Sequence, residues 1–539
     1  MGREIHHDSI LALEKQIEEH ERAIIRLKRA RNSLLNVSTL LPPEIIDSIF
    51  HWNVIPDGDF GGLSKGSYNF LLVCHHWFEV ASHTPELWYF WGNSIRDWTR
   101  RHTRSCGTAP LDLVLDECGN DELDDELRDV LRDRAARDTI RRVHLKGFDT
   151  AESFSSIISA IATQGEEPRS SSVESFMVKN SSDYVDVSAF FSRYQLPKLH
   201  RLCLYGCRIS SWGLLKSHTM ALTTLRLTST GVRRLSPDPT PSQLISILSS
   251  NPLIQDLTLS CDSAPDIIDS DRPSPRIPLR HLKTLYLSSS LHYAFLLLNQ
   301  LELPNKMEIL SLSLDNFSPS EISRTLGPYL GDRIRRRGRF PGGGLGLRTN
   351  RIIRGFSLEV GSTRTGEDPA EVVWFVQVSM LMGMQLEDEE ADRLGFDLIV
   401  HIPQERVIYL QTALPVLHFQ ELCAKMRNLA CLHLLNMDLS GWLLEPDIHG
   451  SHKFEELLCG LDNIIITRPT LDDSDWNPLI NFLSRRAAIG NRVHSLRISD
   501  HPHMDENVAE SIKRMVGVFE DEVFGDEVFE DDDGVMLSC

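Results

Sequence analysis

LHRLCLYGCRI, residues 199–209, places leucine at Leu199, Leu202 and Leu204 and then Cys207. Side chains alternate across a strand, so the L-x-L pair puts two leucines on one face of a short strand. The same L-x-x-L-x-L spacing recurs at Leu222/Leu225/Leu227, Leu282/Leu285/Leu287, Leu298/Leu301/Leu303 and Leu429/Leu432/Leu434. Chance supplies about one such match in a chain of this leucine content. Admitting other apolar residues adds Ile140/Val143/Leu145, Val173/Phe176/Val178, Ile254/Leu257/Leu259, Met307/Leu310/Leu312, Ile353/Phe356/Leu358, Leu461/Ile464/Ile466 and Val493/Leu496/Ile498.

Setting aside the Leu298 match, which sits in a run of helical texture, most starts lie 23 to 33 residues apart. That distance fits one short strand and one helix per repeat, and is similar to that of leucine-rich repeats and their longer irregular relatives. The resemblance implies a parallel sheet whose leucines point into the core, with Cys207 bonding the backbone of its turn. Gaps of 46 after Met307 and 76 after Ile353 require an insertion, a degenerate repeat, or both. RIRRRGRFPGGGLGLRTNR, residues 333–351, is read as that insertion, a mobile Arg/Gly-rich loop. EDEVFGDEVFEDDD, 520–533, is read as part of a disordered acidic tail over 516–539.

A chain of 539 residues holds several units, and 41% hydrophobic with 24% charged residues is a globular composition. The net charge of -20 argues against general nucleic-acid binding, which needs clustered Lys and Arg on a reading face. The arginine-rich loop is the local exception, a candidate for phosphate or RNA, for a nuclear localisation patch, or for clasping the acidic tail. Ten scattered cysteines suggest reduced thiols, and no apolar run spans a bilayer. The expectation is a soluble protein, cytoplasmic or nuclear.

From Ile10 the positions Ile10, Leu13, Ile17, His20, Ile24, Leu27, Arg31 and Leu34 follow a 3,4 spacing with Asp8 or Ser9 available as N-cap. Residues 1–36 therefore read as a heptad helix. It forms a homodimer through residues 10–34, packs on its own chain, or stands alone. LLPPEIIDSIFHW begins a second helix at Pro42 and Pro43, with Ile45, Ile49 and Trp52 at helical spacing. FLLVCHHWFEVASHTPELW, 70–88, resumes helical spacing at Leu71, Cys74, Trp77, Phe78 and Ala81 and stops at Thr84.

Cys74, His75, His76 and His83 resemble a metal set only at first sight. Consecutive helical residues point about 100° apart, and His76 and His83 lie roughly 10 Å apart along an axis. Cys74 then reads as a buried thiol beside Trp77, with His75 and His76 in solvent. The sequence has no HExxH, GxSxG, Walker A or CxxC. GGGLG lacks the strand-to-helix setting of a dinucleotide site. No catalytic residue, metal ligand or cofactor is assigned, and the chain is not read as an enzyme.

LPPEIIDSIF followed by LLVCHHWFEVASHTPELW closely resembles the F-box, through Leu41, Pro42, Glu44, Ile45, Ile49, Phe50, Leu72, Val73, Cys74, Trp77, Ala81, Pro85, Leu87 and Trp88. The resemblance implies an all-α F-box at 37–92 that docks on the Skp adaptor and through it joins a cullin-RING ubiquitin ligase, with Leu41, Pro42, Ile45, Ile49, Val73, Cys74, Trp77 and Trp88 as adaptor-binding residues. The segment between Phe50 and Val73 is longer and richer in glycine than the family pattern. The expected fold class is α/β: N-terminal helix, small all-α F-box, then an irregular leucine-rich-repeat-like solenoid at 105–515 that holds a protein substrate. A non-ligase interaction scaffold is the alternative.

Overall fold

The computed structural model describes residues 2–35, 41–53, 73–84, 90–91, 111–116, 140–147, 154, 157–158, 169–180, 185–217, 221–228, 239–261, 276–305, 307–315, 319–337, 345–352, 355–363, 372–381, 388–412, 422, 425–435, 458–467, 469, 476–501 and 504–523. The protein is mixed α/β with a large, mostly parallel sheet. It divides into two compact units, Met1–Thr224 with Thr230–Ser236, and Leu225–Ser229 with Pro237–Cys539.

The first unit opens with helices α1 (Gly2–Leu35), α2 (Pro43–Asn53) and α3 (His75–Ser82). α1 begins at Gly2, ahead of the Asp8 or Ser9 expected to cap it. Five parallel strands follow: β1 (Phe90–Trp91), β2 (Leu111–Asp116), β3 (Ile140–Lys146), β4 (Ser175–Lys179) and β5 (Arg201–Tyr205). Their register stacks the apolar pairs of the sequence motif into two rows. One is Leu113, Val143, Phe176 and Leu202; the other is Leu115, Leu145, Val178 and Leu204. All eight are buried, and Phe190 of the helix Ser188–Arg193 stacks on Phe176 at 4.3 Å between ring centres. After β5 the chain turns through Gly206 at φ 64°, and the Cys207 thiol donates to Tyr205 O at 3.4 Å. Cys207 thus serves the turn as expected, and burial pushes its pKa up.

β6 (Thr224–Thr228) carries the Leu225/Leu227 pair at the boundary of the units. In the second unit β7 (Asp256–Cys261), β8 (Thr284–Ser290) and β9 (Ile309–Asp315) pair in parallel. Helices alternate with them for legible reasons. Pro241–Ser250 starts on a capping box between Thr240 and Gln243, and Leu291–Gln300 is capped by Ser290. Leu298 belongs to that last helix, so its motif match is no repeat strand. Leu301–Glu302 instead pairs with Ile277–Pro278.

The insertion departs from expectation. Residues 333–336 are the last turn of the helix Pro319–Arg336, and 345–351 lie in β10 (Leu345–Ile352). Only 338–344 fall outside the described residues. Arg333 donates to Pro304 O at 2.7 Å and Arg337 to Met307 O at 2.8 Å, so arginines read as loop cations hold the turn before β9. Gly327 and Gly331 let the helix lie against His401; a Cβ on Gly331 would stand 2.2 Å from the His401 carbonyl oxygen.

β11 (Gly355–Thr363) runs antiparallel between β10 and β12 (Val372–Leu381). The Ile353/Phe356/Leu358 match is therefore the reversed strand of an inserted meander, not a repeat. β12 pairs in parallel with β9, and β10 with β13 (Val407–Thr412), a degenerate repeat strand. β14 (Cys431–Leu435), β15 (Asn463–Thr467), β16 (Ser495–His501) and β17 (Val518–Val523) complete the parallel series. β17 places 518–523, expected in the acidic tail, in the sheet; 524–539 lie outside the described residues.

Across this unit one apolar row runs Leu257, Leu285, Leu310, Val376, Val360, Leu347, Leu410, Leu432, Ile464 and Leu496. The row passes unbroken through the antiparallel strand, so the insertion preserves the register. The neighbouring row contains two buried threonines, Thr349 and Thr412, whose hydroxyls bond each other at 2.9 Å.

Candidate docking site

α2 carries two apolar lines about 100° apart. Ile46 and Phe50 are fully buried, whereas Ile45 is 48% and Trp52 77% exposed, with Ile49 half-buried between them. The spacing of Ile45, Ile49 and Trp52 thus marks the outward line, not the core. Trp77 of α3 is half-buried and meets Phe50 edge-on at 5.4 Å, a geometry that suits the quadrupoles of two rings.

Leu41 is half-buried and Pro42 exposed at the start of α2, where Pro42 O accepts from Ile45 N and Ile46 N. Val73 is 51% exposed. Cys74 is half-buried with extended backbone, φ -162° and ψ 169°, as the N-cap of α3. The helix begins at His75, Leu71 lies outside the described residues, and Cys74 is neither helical nor fully buried. Trp88 lies outside the described residues.

The histidines do local work. His75 faces Glu79 at 3.3 Å one turn on. His83 caps the helix end, its Nδ1 at 2.7 Å from Glu79 O, while Thr84 Oγ1 donates to Val80 O. Among the described residues no three His, Cys, Asp or Glu side chains converge as metal ligands.

The site therefore offers Ile45, Ile49 and Trp52 on α2 and Val73 in the turn before α3, with the two helices in contact through Phe50 and Trp77. Trp52 is absent from the sequence-derived set; its exposure becomes legible only once Ile46 and Phe50 are seen to take the core side.

A second surface lies on the sheet of the second unit, on the strand positions between the buried leucines. One row runs Thr258, Tyr286, Ser311, Gln377, Glu359, Arg348, Gln411, His433, Ile465, Arg497 and Glu520. Tyr286, Gln377 and Arg497 in it are exposed. A hydrogen-bonded chain fixes its middle. Gln377 and Arg348 donate to Glu359, and Arg348 Nε donates to Gln411 Oε1 at 2.7 Å. Tyr409 OH donates to Gln411 at 3.2 Å and lies 3.4 Å from His433 Nδ1. His433 Nε2 then meets Thr467 at 2.9 Å, and Thr467 meets Ser499 at 3.1 Å. One direction satisfies every member: Ser499 donates to Thr467, Thr467 to His433, and His433 Nδ1–H to Tyr409. Burial first, then Arg348 and Arg497, lowers the His433 pKa to about 4, so the imidazole is neutral as this direction requires.

No protein-family model matches the chain, and no curated protein matches it significantly. Among the described residues no helix is long and apolar enough to cross a membrane.

Proposed function

We propose that this protein is a substrate receptor of an SCF-type cullin-RING ubiquitin ligase. In this reading α2 and α3 belong to an F-box that docks on the Skp adaptor. The strand-and-helix units form a leucine-rich-repeat-like solenoid whose polar sheet face holds a protein substrate. The chain performs no chemistry; it supplies proximity to a ubiquitin-conjugating enzyme. The observation that carries the reading is the outward line of α2, with Ile45 and Trp52 exposed and Ile49 half-buried, together with exposed Val73 just ahead of α3, while Phe50 packs on Trp77. Large apolar side chains gathered on a surface mark a partner site.

The test is co-purification with the Skp adaptor and a cullin. Because Trp77 packs on Phe50, Trp77→Asp would disturb the helix pair itself. Ile45→Asp with Trp52→Ala leaves that packing alone. Loss of a central tryptophan anchor costs about 2 kcal/mol or more, roughly a 30-fold weaker complex. Unchanged adaptor binding refutes the reading. Adaptor binding without cullin supports a non-ligase scaffold.

A further inference from the structure

α1 carries an apolar stripe open to water. Leu13, Ile17, Ile24 and Leu27 are 58%, 57%, 50% and 71% exposed, and Ala23 is half-buried. An amphipathic helix gains its stability by burying such a stripe, so an uncovered one asks for an occupant. Its charges are sorted by position. Residues 13–21 carry Glu14, Glu18, Glu19 and Glu21 against Lys15 alone, whereas 22–31 carry Arg22, Arg26, Lys28, Arg29 and Arg31 and no acid.

We propose that α1 pairs in antiparallel orientation with α1 of a second copy of this chain, setting Leu13 against Arg31, Ile17 against Leu27 and His20 against Ile24 of that copy. This register also aligns Ile10 with Leu34 in the sequence, extending the seam over residues 10–34, about 37 Å of helix.

A parallel, in-register pair would stack Arg31 on Arg31 and His20 on His20 in the seam, and lay like-charged halves side by side. Its flanks would meet through Ser9, Gln16, Ala23 and Ala30, none of which forms an ion pair. The antiparallel pair lays each acidic half along a basic half. On one flank Glu14 faces Lys28 of the second copy, twice by symmetry. On the other, Gln16 faces Ala30 and Ala23 faces Ala23, small enough for close approach. One like-charged contact results, Glu21 to Glu21 near the two-fold axis, with Arg22 beside it. Arg22 is itself ion-paired to Glu18.

Sedimentation velocity on the full chain tests this. Dimers in the low micromolar range at 50 mM NaCl are expected, weakening toward 500 mM NaCl as the charged flanks are screened. Ile17→Asp with Leu27→Asp should give monomers with the circular dichroism of the rest of the fold retained. Glu14→Lys should weaken pairing about tenfold, since it places like charges at both flank contacts. Adding Lys28→Glu to it should restore pairing. Orientation is what the rescue reads, because in a parallel pair neither residue faces a charge. A chain monomeric at tens of micromolar overturns the proposal, including one that binds a different protein through α1. So does a dimer indifferent to the Asp substitutions, or one weakened by Glu14→Lys but not rescued.

Discussion

Arg486 tests how the repeat strands are held in register. It lies in the helix Asn477–Ala488, is 1% exposed, and spreads its guanidinium over three carbonyls. Nη1 donates to Leu458 O at 2.6 Å, Nη2 to Leu461 O at 2.9 Å and Nε to Asn491 O at 3.0 Å, with Phe482 under the cation at 5.9 Å. These carbonyls belong to the turns that precede β15 and β16. In Arg486→Met, Leu458 O keeps the Leu461 amide as a donor, while Leu461 O and Asn491 O lose the donor that satisfies them. Stranding a buried carbonyl costs about 1 to 3 kcal/mol, and relief of the buried guanidinium's desolvation returns part of that. The expected net loss is about 3 kcal/mol. Arg486→Lys should lose about 2 kcal/mol, because one ammonium cannot span three carbonyls. Hydrogen exchange at Asn463–Thr467 and Ser495–His501 reads the effect where it arises. Trp476, buried at the N-cap of the same helix and edge-on to His501, gives a fluorescence signal in urea. A loss below about 0.5 kcal/mol in the Met variant, or full stability in the Lys variant, refutes the clamp.

Gly331→Ala should destabilise the inserted region by about 2 to 3 kcal/mol in thermal melts, because its Cβ would meet a backbone oxygen at 2.2 Å rather than a side chain that can turn away. Thr412→Val should cost about 1 kcal/mol in a denaturant titration by leaving the buried Thr349 hydroxyl without the acceptor it donates to, and adding Thr349→Val should recover part of that loss. His144 and His433 are both held at a pKa of about 4, below the unfolded value near 6.5, chiefly by burial. The neutral form is therefore the one that folding favours: their stabilisation is complete above pH 6.5 and lost as pH falls toward 4. A urea midpoint series from pH 7.5 to 4 should show a loss on the order of 2 kcal/mol per histidine, after allowing for partial solvent contact, and His433→Asn should remove its share.

The repeat strands were legible because the leucine spacing is a one-sided strand pattern, and nearly every match outside the insertion lies in a strand of the register. What misled was composition. Arg333 and Arg337 read as loop cations, yet a long aliphatic stem lets each guanidinium reach a carbonyl across a packed turn. VFEDEV reads as tail, yet Asp521 meets His501 and Glu520 approaches Arg497 at 4.0 Å, so two consecutive acids on the last strand find polar partners on its neighbour. β13 was hidden because Thr412 stands where the motif has its last apolar residue, although Val407 and Leu410 fit the first two positions. At the docking site the residue types were legible but not their facing: Ile45 and Ile46 differ by one position and point to opposite fates.

Preservation of register through the meander has a consequence for recognition. Had β11 entered one residue out of step, every side chain of β11 would have exchanged faces, and Glu359 would point into the core. Instead, reversing the strand keeps Leu358 and Val360 inward and Glu359 outward between Gln377 and Arg348. The polar row thus crosses all eleven strands from β7 to β17, roughly 48 Å at the usual strand spacing. Within it the charges of Glu359 and Arg348 are spent on each other, which leaves exposed Tyr286, Gln377, Arg497 and Glu520, the last two 4.0 Å apart, as the groups a substrate would meet in the proposed reading. Recognition on this face would then combine hydrogen bonding and one aromatic contact with a single exposed pair of opposite charges, so substrate binding should fall only modestly with added salt, as should α1 pairing, whose apolar seam salt does not screen.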